Sequence, residues 1–140
     1  MSLQKFALGC VIGAFSLLVH MSAYAQTRSL EELMGLMGRS FGGIARPVNA
    51  GTAGPVEAQL ARDVLALTIE AQGVMPESVT SLPDAEQAVR GKLYVDLMGE
   101  LIRAVEELEA AITVKDPARS KAALQWILQL RTKGHEEFRI

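Results

Sequence analysis

Apolar residues recur at helical spacing in four stretches of this chain, and no stretch alternates in the way that predicts a β-strand. The first predicted helix runs from Leu30 to Arg46 and ends at Pro47. Ser29 and Glu32 form the capping box that starts it. Its apolar stripe consists of Leu30, Leu33, Met34, Met37, Phe41, Ile44 and Ala45.

The first predicted helix is rich in glycine, and this sets it apart from the other three. Each of its glycines weakens a helix by up to ~1 kcal/mol relative to alanine. We therefore expect this helix to depend on packing, or on a bound group, for its order. The glycines are Gly35, Gly38, Gly42 and Gly43.

Three further helices are predicted, and their connections are short. The second runs from Pro55 to Gln72, where Gly73 ends it, and a loop follows to about residue 82. The third runs from Asp84 to Thr113, and the fourth runs from an N-cap at Asp116 to Phe138. Four amphipathic helices joined in this way predict an all-α fold, an antiparallel up-down-up-down four-helix bundle.

The N-terminal residues 1–25 have the pattern of a secretory signal peptide. Lys5 provides the positive charge, an apolar segment follows it, and Ala23 and Ala25 form an A-x-A cleavage site. The alternative is an uncleaved anchor, but the apolar segment is short for one. We expect cleavage, export to the periplasm, no membrane association afterwards, and a domain formed by residues 26–140.

Cleavage of the predicted signal peptide changes which side chains are available for chemistry. Cys10, the only cysteine, leaves with it, which excludes a disulfide, a thiolate metal ligand and thioether attachment of haem. Lys5 also leaves, so 13 basic and 16 acidic residues remain and the net charge is −3. This charge and the lack of a basic run predict no nucleic-acid partner.

His135, the only histidine after cleavage, lies near the end of the fourth predicted helix. A lone histidine near a chain end is ordinarily solvated, and a methionine on an apolar stripe is ordinarily core. In an up-down-up-down bundle, however, the start of the first helix lies beside the end of the fourth. Met34 and His135 are then at the same height, as the two axial ligands of a haem iron would be. From spacing alone Met37 competes with Met34.

The two ends of the predicted domain also resemble cytochrome b562, a family of soluble periplasmic four-helix-bundle proteins with non-covalent haem b. The resemblance rests on Leu30-Glu31-x-x-Met34 and on Arg131-x-x-x-His135-x-x-Phe138-Arg139. It implies that Met34 and His135 ligate the iron of one haem b. It also implies that Arg131 and Arg139 lie near the haem, where they could pair with its propionates; each is otherwise a solvated charge.

The function that these expectations favour is electron transfer rather than catalysis. Ligation by histidine and methionine closes both axial positions of the iron, and no catalytic constellation is visible. We expect no enzyme activity, a redox partner that the sequence does not identify, and a monomer or weak dimer. The alternative is a haem-free periplasmic bundle that acts as a binding or chaperone-like module. A metal-sensing bundle that uses glutamates is a third possibility, but a single histidine makes a poor transition-metal site.

Overall fold

The computed structural model describes residues 28–139, and over that range the chain forms helices and no strand. The predicted signal peptide, residues 1–25, lies outside the described residues. None of the helices in this part of the chain is long and apolar enough to span a membrane. The helices are α1 (Leu30–Ala50), α2 (Pro55–Gln72), α3 (Glu77–Thr80), α4 (Asp84–Thr113) and α5 (Pro117–Phe138).

The sequence-based bounds of α2, α4 and α5 are confirmed, and so are two predicted caps. The Ser29 hydroxyl accepts a hydrogen bond from the Glu32 amide at 3.1 Å, and the Glu32 carboxylate accepts one from the Ser29 amide at 3.0 Å. The Asp116 carboxylate accepts a hydrogen bond from the Arg119 amide at 3.0 Å. Local side-chain chemistry determines these helix starts, which is why the sequence alone predicts them.

The predicted end of α1 at Pro47 is wrong, because the helix continues for one further turn to Ala50. Proline removes one backbone donor, but its carbonyl still accepts hydrogen bonds. Here the Pro47 carbonyl accepts from the Thr52 amide at 2.9 Å, and Gly51 closes the helix in the left-handed conformation. Val48 is buried in this last turn. Packing and capping together offset the lost hydrogen bond.

The short helix α3 was not predicted and lies in the segment that the sequence suggested as loop. A single turn is too short for apolar periodicity to be visible. Its one fully buried side chain, Val79, docks the turn against Gly91 of α4. Tertiary packing therefore decides this element.

The four long helices pack against one another around one apolar core. Ion pairs on the surface join Arg28 to Glu70 and Arg62 to Glu109. The hydrogen bond from Arg28 holds the pKa of Glu70 below its usual value. The core includes Leu33, Ile44, Val64, Val105, Leu108, Leu124 and Ile127.

Two features of the packing bear on function. Successive long helices pack closely, whereas α1 and α5 contact each other much less than any other neighbouring pair of long helices. Val56, an apolar residue in the first turn of α2, is 68% exposed. The sparse α1–α5 boundary is the opening in the bundle where the candidate site lies.

Candidate functional site

An apolar cleft lies between α1, α4 and α5 and opens toward solvent. It contains about 680 Å³ of empty space, part of it open, of which about 110 Å³ admits the centre of a water molecule. A bulky ligand would therefore enter only if lining side chains move, and unbranched methionines adapt readily. The lining residues are Met34, Met37, Gly38, Phe41, Tyr94, Leu97, Met98, Leu101, Ile127, Leu130, Arg131, Gly134 and His135.

The two methionines of α1 differ in where their sulfur atoms can reach. Met37 is 4% exposed, and its sulfur lies 3.3 Å from the hydroxyl of Thr68 on α2. Thr68 lies 2.7 Å from the carbonyl oxygen of Val64, the stronger acceptor for its single proton. Met34 precedes Met37 by three residues, slightly less than one helical turn, and is half-buried at the cleft. The Met37 sulfur thus faces α2, whereas Met34 borders the opening.

His135 lines the same cleft from α5, and as a whole residue it is exposed. Its backbone carbonyl accepts a hydrogen bond from the Arg139 amide at 3.0 Å, which closes the last turn of α5. Gly134, the residue before it, is buried, and a Cβ there would lie 3.3 Å from Leu97 on α4. The glycine therefore lets this turn of α5 approach α4 closely.

The turn that carries His135 is fastened by contacts of the residues that follow it. Phe138 is fully buried, and its ring meets the Tyr94 ring edge-on, with centroids 5.3 Å apart. The guanidinium carbon of Arg90 lies 5.3 Å from the Phe138 centroid, and Arg90 also pairs with Glu137 at 2.9 Å. The Ser78 hydroxyl donates to the Phe138 carbonyl at 2.6 Å. Side chains from α3 and α4 thus hold the end of α5 in place.

Tyr94 also forms part of the cleft wall. Its hydroxyl donates a hydrogen bond to the Ala71 carbonyl at 2.7 Å, so the one polar atom of this side chain has a partner. Burial raises the pKa of Tyr94 to about 12. The phenol is therefore neutral at physiological pH, and the wall presents no charge from it. Met98 also lines the cleft and is buried.

The two arginines suggested by the resemblance lie in different places. Arg131 is exposed and lines the cleft one turn before His135. Arg139 does not line it, but forms part of an adjoining pocket with Ser78 and Ser81 that also includes Met34. Arg139 has φ 54° at the C-cap of α5. The structure thus brings Met34, Arg131 and His135 to one cleft and leaves Arg139 beside it.

The sequence did not indicate several of the residues that line the cleft, and Gly38 is the most informative of them. A Cβ at Gly38 would meet nothing within 4 Å, so the absent side chain adds open space to the cleft. The signal was available, because Gly38 follows Met34 by four residues and therefore lies on the same helix face. The sequence suggested this glycine only as a source of helix instability.

The residues of the cleft fit an iron porphyrin in their donor set and walls. One imidazole and one thioether side chain border the opening from two helices, and the walls between them are almost entirely apolar. Among residues 28–139, Arg131 is the one permanently charged side chain that lines the cleft. Within residues 28–139 no three His, Cys, Asp or Glu side chains group in a way that could hold a metal ion.

Comparison with known proteins finds no relative of this chain. No protein-family model, curated protein or solved structure matches this chain.

Proposed function

We propose that this protein is a periplasmic electron-transfer protein of the cytochrome b562 kind, which binds one non-covalent haem b through Met34 and His135. The observation that carries the proposal is the convergence of these two side chains on one apolar cleft, although 101 positions separate them in the chain. Imidazole and thioether are the ligand pair that favours electron transfer over oxygen chemistry.

The proposal includes an up-down-up-down arrangement of the four long helices. Contacts between helices support it. The start of α1 meets the end of α2 through Arg28 and Glu70. Arg62, near the middle of α2, pairs with Glu109, late in α4, and Arg119, early in α5, pairs with Glu107. A Cβ on Gly51, which follows α1, would lie 3.7 Å from Pro117, which begins α5.

Met34 is favoured over Met37 as the sulfur ligand. The Met37 sulfur lies against Thr68 in the core, and turning it toward the cleft would break that packing. Met34 is half-buried at the opening and has the flexible side chain that a ligand needs to adjust its position. Arg131 lies close enough to the cleft to pair with an acidic group of the bound molecule, and Arg139 could do so from the adjoining pocket.

A haem held in this cleft would supply a one-electron couple at its iron. The chain's own residues bind and orient the group. Leu97, Leu101 and Leu130 exclude water from the inner part of the cleft. Met34 and His135 would be the residues that hold the haem, a pair of side chains suited to electron transfer, and we propose no enzyme activity. Periplasmic residence after cleavage at residue 25 is part of the same proposal.

Titration of the purified mature chain with haem tests the proposal. We expect saturable uptake of one haem per chain, a red protein and the sharp Soret band of a low-spin, six-coordinate species after reduction. A chain that stays colourless throughout the titration would contradict the proposal. That result would favour the haem-free binding or chaperone-like module instead.

A further inference from the structure

Charge is segregated between the two halves of the bundle. Together α2 and α4 carry ten acidic and four basic side chains, whereas α1 and α5 carry four acidic and six basic ones. The cleft is lined by α1, α4 and α5, so two of its three walls belong to the half that is richer in positive charge. This half differs in the sign of its charge from the chain as a whole, which carries −3 over residues 28–139.

The basic residues of α1 and α5 are also available for a partner. The ion pairs of residues 28–139 involve α2 or α4 in every case, and none joins α1 to α5. Arg39, Lys121 and Arg131 are exposed and form no ion pair with any residue that the structure describes. We name these three residues the basic rim.

One residue of the basic rim lines the cleft, a second lies near it on α1, and the third lies about 21 Å from His135 along α5. Arg131 lines the cleft itself. The Arg39 guanidinium lies 3.7 Å from the position that a Cβ on Gly35 would take, and Gly35 is next to Met34. Lys121 and Leu128 precede His135 by fourteen and seven residues, so all three lie on one face of α5. Leu128 is 45% exposed and gives this face an apolar centre.

We infer that the basic rim and Leu128 form the docking surface for an acidic redox protein. The inference rests on the proposed haem function and adds the partner's chemistry to it. One electron passes between the proteins, so that one is oxidised as the other is reduced, and no atom or proton changes place. Opposite charges steer such partners together, and the interfaces of electron-transfer encounters are small.

An anionic membrane surface is less well matched to this face. Lipid headgroups attract clusters of four to eight basic residues, whereas the rim has three such residues spread over two helices. Glu31 lies in the pocket beside Met34, and Glu136 follows His135 directly. A protein surface with a few acidic side chains at fixed positions fits this pattern better than a uniformly charged plane.

The first test maps anion contacts without using redox activity. The isotope-labelled protein is titrated with hexacyanochromate(III), a paramagnetic trianion, and broadening of backbone amide signals is measured. We expect broadening around residues 35–42 and 121–135 that disappears in the Arg39→Glu/Lys121→Glu variant. The matched control is Arg103→Glu, an exposed position on α4 without an ion pair among the described residues, which should leave the broadening in place.

The second test measures oxidation of the reduced haem protein by hexacyanoferrate(III), which takes up one electron and becomes hexacyanoferrate(II). The net charge of the protein predicts repulsion and a rate that rises with salt. The basic rim predicts attraction and a rate that falls as salt rises from about 0.01 to about 0.1 M, over which the Debye length shrinks from about 30 Å to about 10 Å. The rim double variant should react roughly tenfold more slowly at low salt, and Arg103→Glu should react as the wild type does.

The outcomes separate the two proposals. A chain that takes up no haem overturns the proposed function and the redox character of the partner. In a haem-loaded protein, broadening centred away from the rim, or a rate that rises with salt, overturns the docking inference alone. Rim-dependent cosedimentation with phosphatidylglycerol vesicles would assign the surface to a membrane and would also overturn it.

Discussion

At the scale of single residues, the candidate site depends on which way a few side chains face. Met34 and Met37 lie on the same predicted stripe, but the Met37 sulfur contacts Thr68 and Met34 borders the opening. Gly38 leaves open space beside the cleft, whereas Gly134 lets α5 approach Leu97 of α4 closely. Two predictions follow from individual side chains.

Removal of the proposed ligands should change the optical spectrum in a residue-specific way. We expect His135→Ala to abolish the low-spin spectrum and Met34→Ala to give a high-spin or otherwise altered species, because each leaves an axial position open. Met37→Ala is the matched control: it should keep low-spin ligation while losing about 2–5 kcal/mol of stability, since it leaves a cavity in the core. Spectra after haem titration provide the check. A ligand-loss spectrum in Met37→Ala, with Met34→Ala unaffected, would reverse the assignment of the sulfur ligand.

Tyr94 predicts a pH dependence of stability. Its pKa is about 12 in the folded chain and about 10 when exposed. Between these values the unfolded chain loses the phenol proton first, so its contribution to stability falls as pH rises. At neutral pH, Tyr94→Phe should be about 1 kcal/mol less stable, since it loses the hydrogen bond to Ala71.

As the pH rises from about 10 to about 12, this difference should shrink and then change sign. Urea unfolding of both proteins across that pH range measures the difference in stability. The contributions of other titrating groups are the same in both proteins and cancel. A stability difference that stays constant up to pH about 12 would show that folding does not raise the pKa of Tyr94.

At the scale of elements, α1 combines ordinary helix signals with unusual composition. Its N-terminal capping box and its C-cap at Gly51 are well formed. Between them, Gly35, Gly38 and Gly42 are exposed. The caps at both ends and the buried apolar stripe therefore stabilise this helix, whereas its outer face contributes little to its stability.

Two of these glycines provide a matched pair. A Cβ would meet nothing within 4 Å at either Gly38 or Gly42, but only Gly38 lines the cleft. We expect Gly38→Ala and Gly42→Ala each to stabilise the haem-free protein by up to about 1 kcal/mol. Only Gly38→Ala should weaken haem binding, because its methyl group enters the cleft. Denaturant unfolding and haem titration measure the two effects, and equal affinities for the two variants would argue against haem in this cleft.

At the scale of the whole molecule, the sparse α1–α5 boundary separates the bundle into a closely packed part and a more loosely held edge. The close contacts run from α1 to α2, from α2 to α4 and from α4 to α5. A ligand in the cleft would complete the boundary between the first and last long helices. Binding to the folded chain alone would then stabilise the whole bundle by mass action.

This arrangement predicts unequal protection from hydrogen exchange. Without haem, we expect the amides of α1 to exchange faster than those of α4, because α1 is glycine-rich and has the open side. Saturation with haem should slow exchange in α1 more than in α4. Exchange measured by mass spectrometry in both states tests this, and equal protection of the two helices in the haem-free protein would contradict it.

Much of the fold could be predicted from sequence because its determinants are local. Caps at Ser29 and Asp116 and the prolines at the starts of α2 and α5 specify helix ends through nearby atoms. Apolar spacing in α5 agrees with the buried Ala123, Ile127, Leu130 and Phe138, but it does not predict Ser120, a polar residue that is buried as well. Local rules failed at Pro47 and in α3, where packing of Val48 and Val79 outweighs them.

Periodicity and side-chain chemistry are local properties of the sequence, and they are sufficient to predict the four long helices and the two candidate ligands at opposite ends of the domain. The direction of the Met37 sulfur toward α2 and the open space beside Gly38 become visible only in the folded bundle. These features depend on how each helix is rotated about its axis against its neighbours. That rotation is determined by packing of the whole core, to which distant parts of the chain contribute together.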